Sequence, residues 1–123
     1  MTEAVAILLK RNLHEVFAER DADRRRATIA ELFTPACVFS SPQGRHVGYD
    51  ALNRAIAELQ ARLPDHVFSE LGDAQTLQDA GRLAWALGPP ADPSRITGLD
   101  LIVLRGDRIG ELYTFLDPPP PRR

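Results

Sequence analysis

The sequence predicts an α+β fold in which three N-terminal helices cover one face of a mostly antiparallel sheet. Three observations carry that prediction. The first half of the chain holds three blocks with apolar residues at helical spacing. The second half alternates apolar and polar residues between turn signals, as consecutive strands do. Within it, Ile96-Thr97-Gly98-Leu99-Asp100-Leu101-Ile102-Val103-Leu104 reads as a strand apolar on both faces, with one carboxylate in its middle. Strand side chains alternate, so Asp100 shares a face with Ile102 and Leu104, and Leu99, Leu101 and Val103 share the other.

The elements follow in order. Glu3 to Arg20 reads as a helix whose stripe is Val5, Leu8, Leu9, Leu13, Val16 and Phe17. Asn12 falls inside that stripe; Arg11 and His14 fall outside it. Asp21 or Asp23 caps a second helix running through Phe33, with Pro35 ending it. Arg24-Arg25-Arg26 near its start reads as a solvated face. Ala36 to Ser41 is a short strand, Pro42-Gln43-Gly44 a turn, and Arg45 to Val47 a second strand. Gly48 and Asp50 open a third helix with the stripe Leu52, Ile56, Leu59 and Leu63, stopped by Pro64. A strand starts at His66 and runs to Leu71 or on to Leu77, before a turn at Asp79-Ala80-Gly81. Arg82 to Leu87 sets Leu83, Trp85 and Leu87 against Ala84 and Ala86. After a Pro-rich loop from Gly88 to Ser94, Ile96–Arg105 and Arg108–Leu116 form a hairpin around Gly106-Asp107. Residues 1–117 make one domain, and Pro118 to Arg123 is expected to be a disordered, polyproline-like tail.

Composition narrows the function. The chain is 44% hydrophobic and 26% charged, ordinary values for a globular domain. A formal net charge of -2 gives no reason to expect nucleic acid or an anionic membrane as partner. Lys10 is the one lysine among the 15 basic residues, a skew that points to a GC-rich bacterial genome. Cys37 stands alone in an apolar context and reads as a buried, inert thiol, which excludes an internal disulfide. The apolar run Ala4 to Leu9 is too short for a secretory signal, so the cytoplasm is the expected location. His14, His46 and His66 match no ligand spacing, and Gly88-Pro89-Pro90 is a rigid turn rather than a phosphate cradle. Neither a metal nor a cofactor is expected. A strand apolar on both faces requires cover on both, and the helices cover one. The expected cover for the other is a second copy of the chain, packed through the outer sheet face that presents Ala84 and Ala86.

The ordered segments Glu31-Leu32-Phe33, Val38-Phe39-Ser40-Ser41-Pro42, Gly48-Tyr49-Asp50-Ala51-Leu52, Gly98-Leu99-Asp100 and Arg108-Ile109 to Phe115-Leu116-Asp117 carry a resemblance. The chain resembles the nuclear transport factor 2-like superfamily, in its SnoaL-like and ketosteroid isomerase-like branch, from about Leu8 to Asp117. The resemblance implies a cone-shaped, strongly curved sheet wrapped around the helices, an α+β barrel with a mostly apolar pocket at its open end. It also implies that dimers form through the sheet. Family enzymes of the ketosteroid isomerase type use a first-helix tyrosine, a late-strand protonated aspartate and an aspartate base. Here those positions hold Leu13, Asp100 and Ser41. Asp100 alone keeps its chemistry, since Leu13 offers no hydrogen bond and Ser41 cannot shuttle a proton near neutral pH.

Asp100 is therefore the candidate catalytic acid, because an apolar site can hold such a carboxyl protonated as a hydrogen-bond donor. The expected pocket lining is Asn12, Leu13, Phe33, Phe39, Ser41, Tyr49, Trp85, Ile102 and Phe115. Two readings follow. One is a cofactor-free small-molecule-binding domain for an apolar or carbonyl-containing compound, open to isomerase- or cyclase-type proton transfer. The other is a non-catalytic dimeric binding or interaction module whose pocket is filled by its own side chains.

Overall fold

The computed structural model describes residues 2–118. The expected tail lies, from residue 119 on, outside the described residues. Helix α1 (Thr2–Arg11) continues without a break into a π-helical segment (Asn12–Phe17), so the first helix ends three residues before Arg20. The apolar stripe is as expected: Val5, Leu9, Leu13, Val16 and Phe17 are buried, and His14 faces solvent.

Asp21 is the cap of α2 (Ala22–Leu32), its side chain accepting from the Arg24 amide at 2.9 Å. The helix stops at Leu32, and β1 (Phe33–Ser41) starts at once, so Phe33 and Pro35 are strand residues rather than a helix end. Pro35 sits where β1 slips against β6 between Phe33 and Val38, and such an irregularity tolerates the missing amide. Then come β2 (Gly44–Val47), α3 (Tyr49–Arg62), β3 (Val67–Leu77), β4 (Ala80–Gly88), β5 (Ile96–Arg105) and β6 (Arg108–Leu116).

The six strands form one sheet in the order β2-β1-β6-β5-β4-β3. All pairs are antiparallel except β1 with β6. Register breaks in the β1–β6, β3–β4 and β5–β6 ladders add residues to one strand, which bends the sheet toward the helices. The core lies between that concave face and the helices, around Leu9, Ile29, Phe33, Ile56, Ile102 and Leu112. On β5, Gly98, Asp100, Ile102 and Leu104 are buried, whereas Leu99, Leu101 and Val103 are half-buried on the convex side.

Two further expectations change. The β3–β4 turn is Gln78-Asp79, because Leu77 already pairs with Ala80, and Gln78 takes a left-handed backbone with φ of 55°. Gly81 is a strand residue beneath α1, where a Cβ would collide with Val5. Arg25 is not on a solvated face: it is 1% exposed between α2 and α3. Its guanidinium donates to Asn53 Oδ1 at 2.6 Å, the Glu19 carbonyl at 2.7 Å and Gln60 Oε1 at 3.0 Å. Neutral acceptors thus hold a buried cation, and burial lowers its pKa.

Candidate functional site

Three neighbouring strands build the site. In the β4–β5 and β5–β6 ladders, Asp100 pairs with Leu83 on one side and Thr114 on the other. Trp85 lies opposite Gly98, one inward position along from Asp100. Gly98 has no side chain, and a Cβ there would strike the Trp85 indole. The ring therefore lies across β5, and its Nε1 donates to Asp100 Oδ1 at 3.0 Å. Thr114 Oγ1 donates to the same oxygen at 2.8 Å. Oδ2 receives no hydrogen bond from the described residues.

Asp100 is 4% exposed and stands in the wall of a cavity of about 340 Å³ between the concave sheet, the first helix and α3. Aromatic rings make up much of that wall. Trp85 meets Phe68 edge-to-face at 5.7 Å, Phe68 meets Phe17 at 6.2 Å, and Phe17 meets Phe39 at 5.6 Å. His46 stacks on Phe39 at 5.8 Å, because β2 pairs it directly beside that residue. Leu13, Leu59, Leu87 and Ile96 fill the apolar remainder, while Ser41, Gln43, Glu58 and Arg62 supply polar groups.

These surroundings set the acidity of Asp100. Burial away from water disfavours its charged form and raises its pKa from 3.8 to about 6; the Thr114 and Trp85 bonds pull in the opposite direction without cancelling the rise. The carboxyl can therefore exchange a proton in the physiological range. With Oδ1 already accepting two hydrogen bonds, Oδ2 is the oxygen left to carry that proton.

Of the residues expected at the pocket, Leu13, Phe39, Ser41, Trp85 and Asp100 stand in the cavity wall. The other five do not. Phe33 and Ile102 are fully buried core residues that do not line the cavity. Tyr49 turns its hydroxyl to the Phe33 carbonyl at 2.8 Å, and Arg26 covers its ring. Asn12 is 0% exposed, and neither its Oδ1 nor its Nδ2 has a hydrogen-bond partner. Phe115 pairs with Leu99 on the convex face and is 55% exposed.

One inserted residue sends Phe115 outward. An unbroken hairpin from the Arg105–Arg108 pair would set Gly98 against Phe115 and turn that ring inward. The extra residue at Gly110, between the Val103–Glu111 and Leu104–Ile109 pairs, shifts β6 by one and reverses every later side chain. The same shift turns Thr114 inward, onto Asp100. Phe17, Phe68, His46 and Thr114 are wall residues that the sequence reading missed. For His46 a signal existed: a short hairpin at Pro42-Gln43 sets it beside Phe39.

No model of a known protein family matches the sequence, and no curated protein matches it. Solved structures do match. A SnoaL-like family protein from Agrobacterium tumefaciens strain C58, provisionally assigned as an isomerase, aligns with a TM-score of 0.87 at 20% identity, over 94% of this chain and 99% of its own. A provisionally assigned polyketide cyclase from Sinorhizobium meliloti aligns at 0.72 and 17% identity, over 93% and 98% of the two chains. A de novo designed protein with a curved β-sheet aligns at 0.75 and 10% identity, over 96% of this chain and 88% of its own. The chain has the nuclear transport factor 2-like fold, which the SnoaL-like structures share. That a designed scaffold shares the shape means the shape alone assigns no reaction, which must be argued from the site.

Among the described residues no helix is long and apolar enough to cross a membrane. No group of three or more His, Cys, Asp and Glu gathers there as a metal shell.

Proposed function

We propose that this chain binds a small, mostly apolar carbonyl compound in the cavity, with Asp100 as its polar anchor and as the acid of a proton transfer. One observation carries the reading: an aromatic-walled cavity contains a single buried carboxyl, with one oxygen held by Trp85 and Thr114 and the other free. Ligand sites have this composition, apolar walls with a few converging polar groups. A cavity of about 340 Å³ is small for such a site and suits about two fused rings. A ligand that fills it would displace water, which favours the neutral carboxyl further and lets it donate to the carbonyl oxygen.

The test uses the single tryptophan. Its indole N–H gives one nitrogen–proton NMR signal, and that group touches Asp100. Titration with 2-naphthol, a flat enol mimic, should shift the signal saturably. Asp100→Ala should weaken binding at least tenfold. An indole signal unmoved at millimolar 2-naphthol refutes the reading.

The same proposal includes a homodimer through the convex sheet face. Its support is the half-buried row Leu99, Leu101 and Val103, continued by exposed Phe115 and Leu71. Sedimentation at tens of micromolar should give a dimer, and Leu101→Asp a monomer. A monomeric unaltered protein would remove this part and leave the cavity reading intact.

A further inference from the structure

We infer that His46 is the general base of this cavity, acting with Asp100 to enolise a two-ring ketone; the inference rests on the proposed function above. The position that resemblance gives to the base is Ser41, whose hydroxyl is tied into the β1–β2 turn. It donates to Gln43 Oε1 at 3.3 Å and accepts from the Gln43 amide at 3.2 Å. His46 lies on the adjacent strand and lines the same cavity as Asp100. It is half-buried, and its ring is fixed by stacking on Phe39 at an interplanar angle of 24°.

Its nitrogens are free for this work. His14 Nε2 is paired with Glu70 and His66 Nδ1 with Asp65, but His46 makes no ring hydrogen bond within the described residues. Imidazole is the side chain best suited to exchange a proton near neutral pH. Glu58 and Arg62, the other ionisable groups of the wall, are exposed on α3 at the rim.

Burial favours the protonated form of Asp100, which makes that carboxyl the acid of the pair. The step then balances without a cofactor. A His46 ring nitrogen takes the proton from the carbon next to the ketone. The C–H electron pair becomes the new C=C bond, and the carbonyl π pair moves to oxygen. That oxygen takes the hydrogen bond, or the proton, from Asp100. Return of the proton from His46 to the same carbon, as the oxygen gives back to Asp100 any proton it took, restores the ketone; delivery to a conjugated carbon isomerises it.

The experiment is deuterium exchange into 2-tetralone in heavy water, followed by mass spectrometry, alongside 2-naphthol binding read at the Trp85 indole. The unaltered protein should speed exchange beyond the buffer rate. His46→Ala should lower the enzymic rate at least 100-fold, the scale of a general base, and weaken 2-naphthol binding by a much smaller factor. Added imidazole should restore part of the lost rate in that variant and none in Asp100→Ala. Retained naphthol binding shows that the variant is folded. Exchange at the unaltered rate in His46→Ala, or naphthol binding without exchange in the unaltered protein, overturns the assignment of His46 and leaves the binding reading standing. Absence of naphthol binding in the unaltered protein overturns both.

Discussion

Asp100→Asn separates the electrostatics of the cavity floor from its shape. The carboxyl has an ordinary pKa of 3.8 and is raised to about 6 by burial. A group whose pKa is raised on folding favours the folded state most when protonated. Its contribution is complete below about pH 3.8 and is lost as the pH rises through about 6. A gap of about two pH units, at about 1.4 kcal/mol each, amounts to about 3 kcal/mol. At pH 8 the protein carries that cost in full. Asparagine keeps the size, accepts from Trp85 and Thr114 through Oδ1, and carries no charge to desolvate. Its bonds are weaker than those to a carboxylate, which returns part of the gain. Urea denaturation at pH 8 should therefore find Asp100→Asn more stable by about 1–3 kcal/mol, with the difference closing below pH 4. The indole signal of Trp85 should show a step near pH 6 that the variant lacks. Of the titratable groups around the cavity, which also include His46, Glu58 and Arg62, Asp100 is the one bonded to that indole. A variant less stable than the unaltered protein at pH 8, with the same pH dependence, would mean that burial does not govern this carboxyl.

Three further outcomes follow from the packing. Gly98→Ala would drive a Cβ into the Trp85 indole and the Phe115 carbonyl oxygen; it should cost about 1–3 kcal/mol by thermal denaturation and displace the indole signal. Arg25→Met keeps bulk but strips the donor from Asn53, Gln60 and the Glu19 carbonyl; chemical denaturation should show a loss of about 2–4 kcal/mol, and an unchanged midpoint would count against this network. Asn12→Leu replaces a buried amide that has no partner, so the melting temperature should rise, by the equivalent of about 1–3 kcal/mol.

Much of the fold was legible because local signals agreed with one another. The stripe from Val5 to Phe17, the Asp21 cap, the Gly48 start of α3 and the Gly106-Asp107 hairpin each rest on near-neighbour chemistry. Asp100 stood out for the same reason, as a carboxylate in a strand whose inward partners are all apolar. The burial of Arg25 was not legible. Two of its acceptors lie on α3 and the third is the Glu19 carbonyl before α2, so in sequence it looks like its exposed neighbour Arg24.

The sequence by itself determined the element order, the inward face of β5 and the candidacy of Asp100, because periodicity and turn chemistry act over a few residues. Only the tertiary structure decided which groups surround that carboxyl. The parallel pairing of β1 with β6 joins the first and last strands, and no local pattern encodes it. The extra residue at Gly110 turns Thr114 onto Asp100 and sends Phe115 outward, although a count from the hairpin gives the reverse. Strand side chains have a period of two, so one inserted residue is enough to exchange the wall of a cavity with the outside of a sheet.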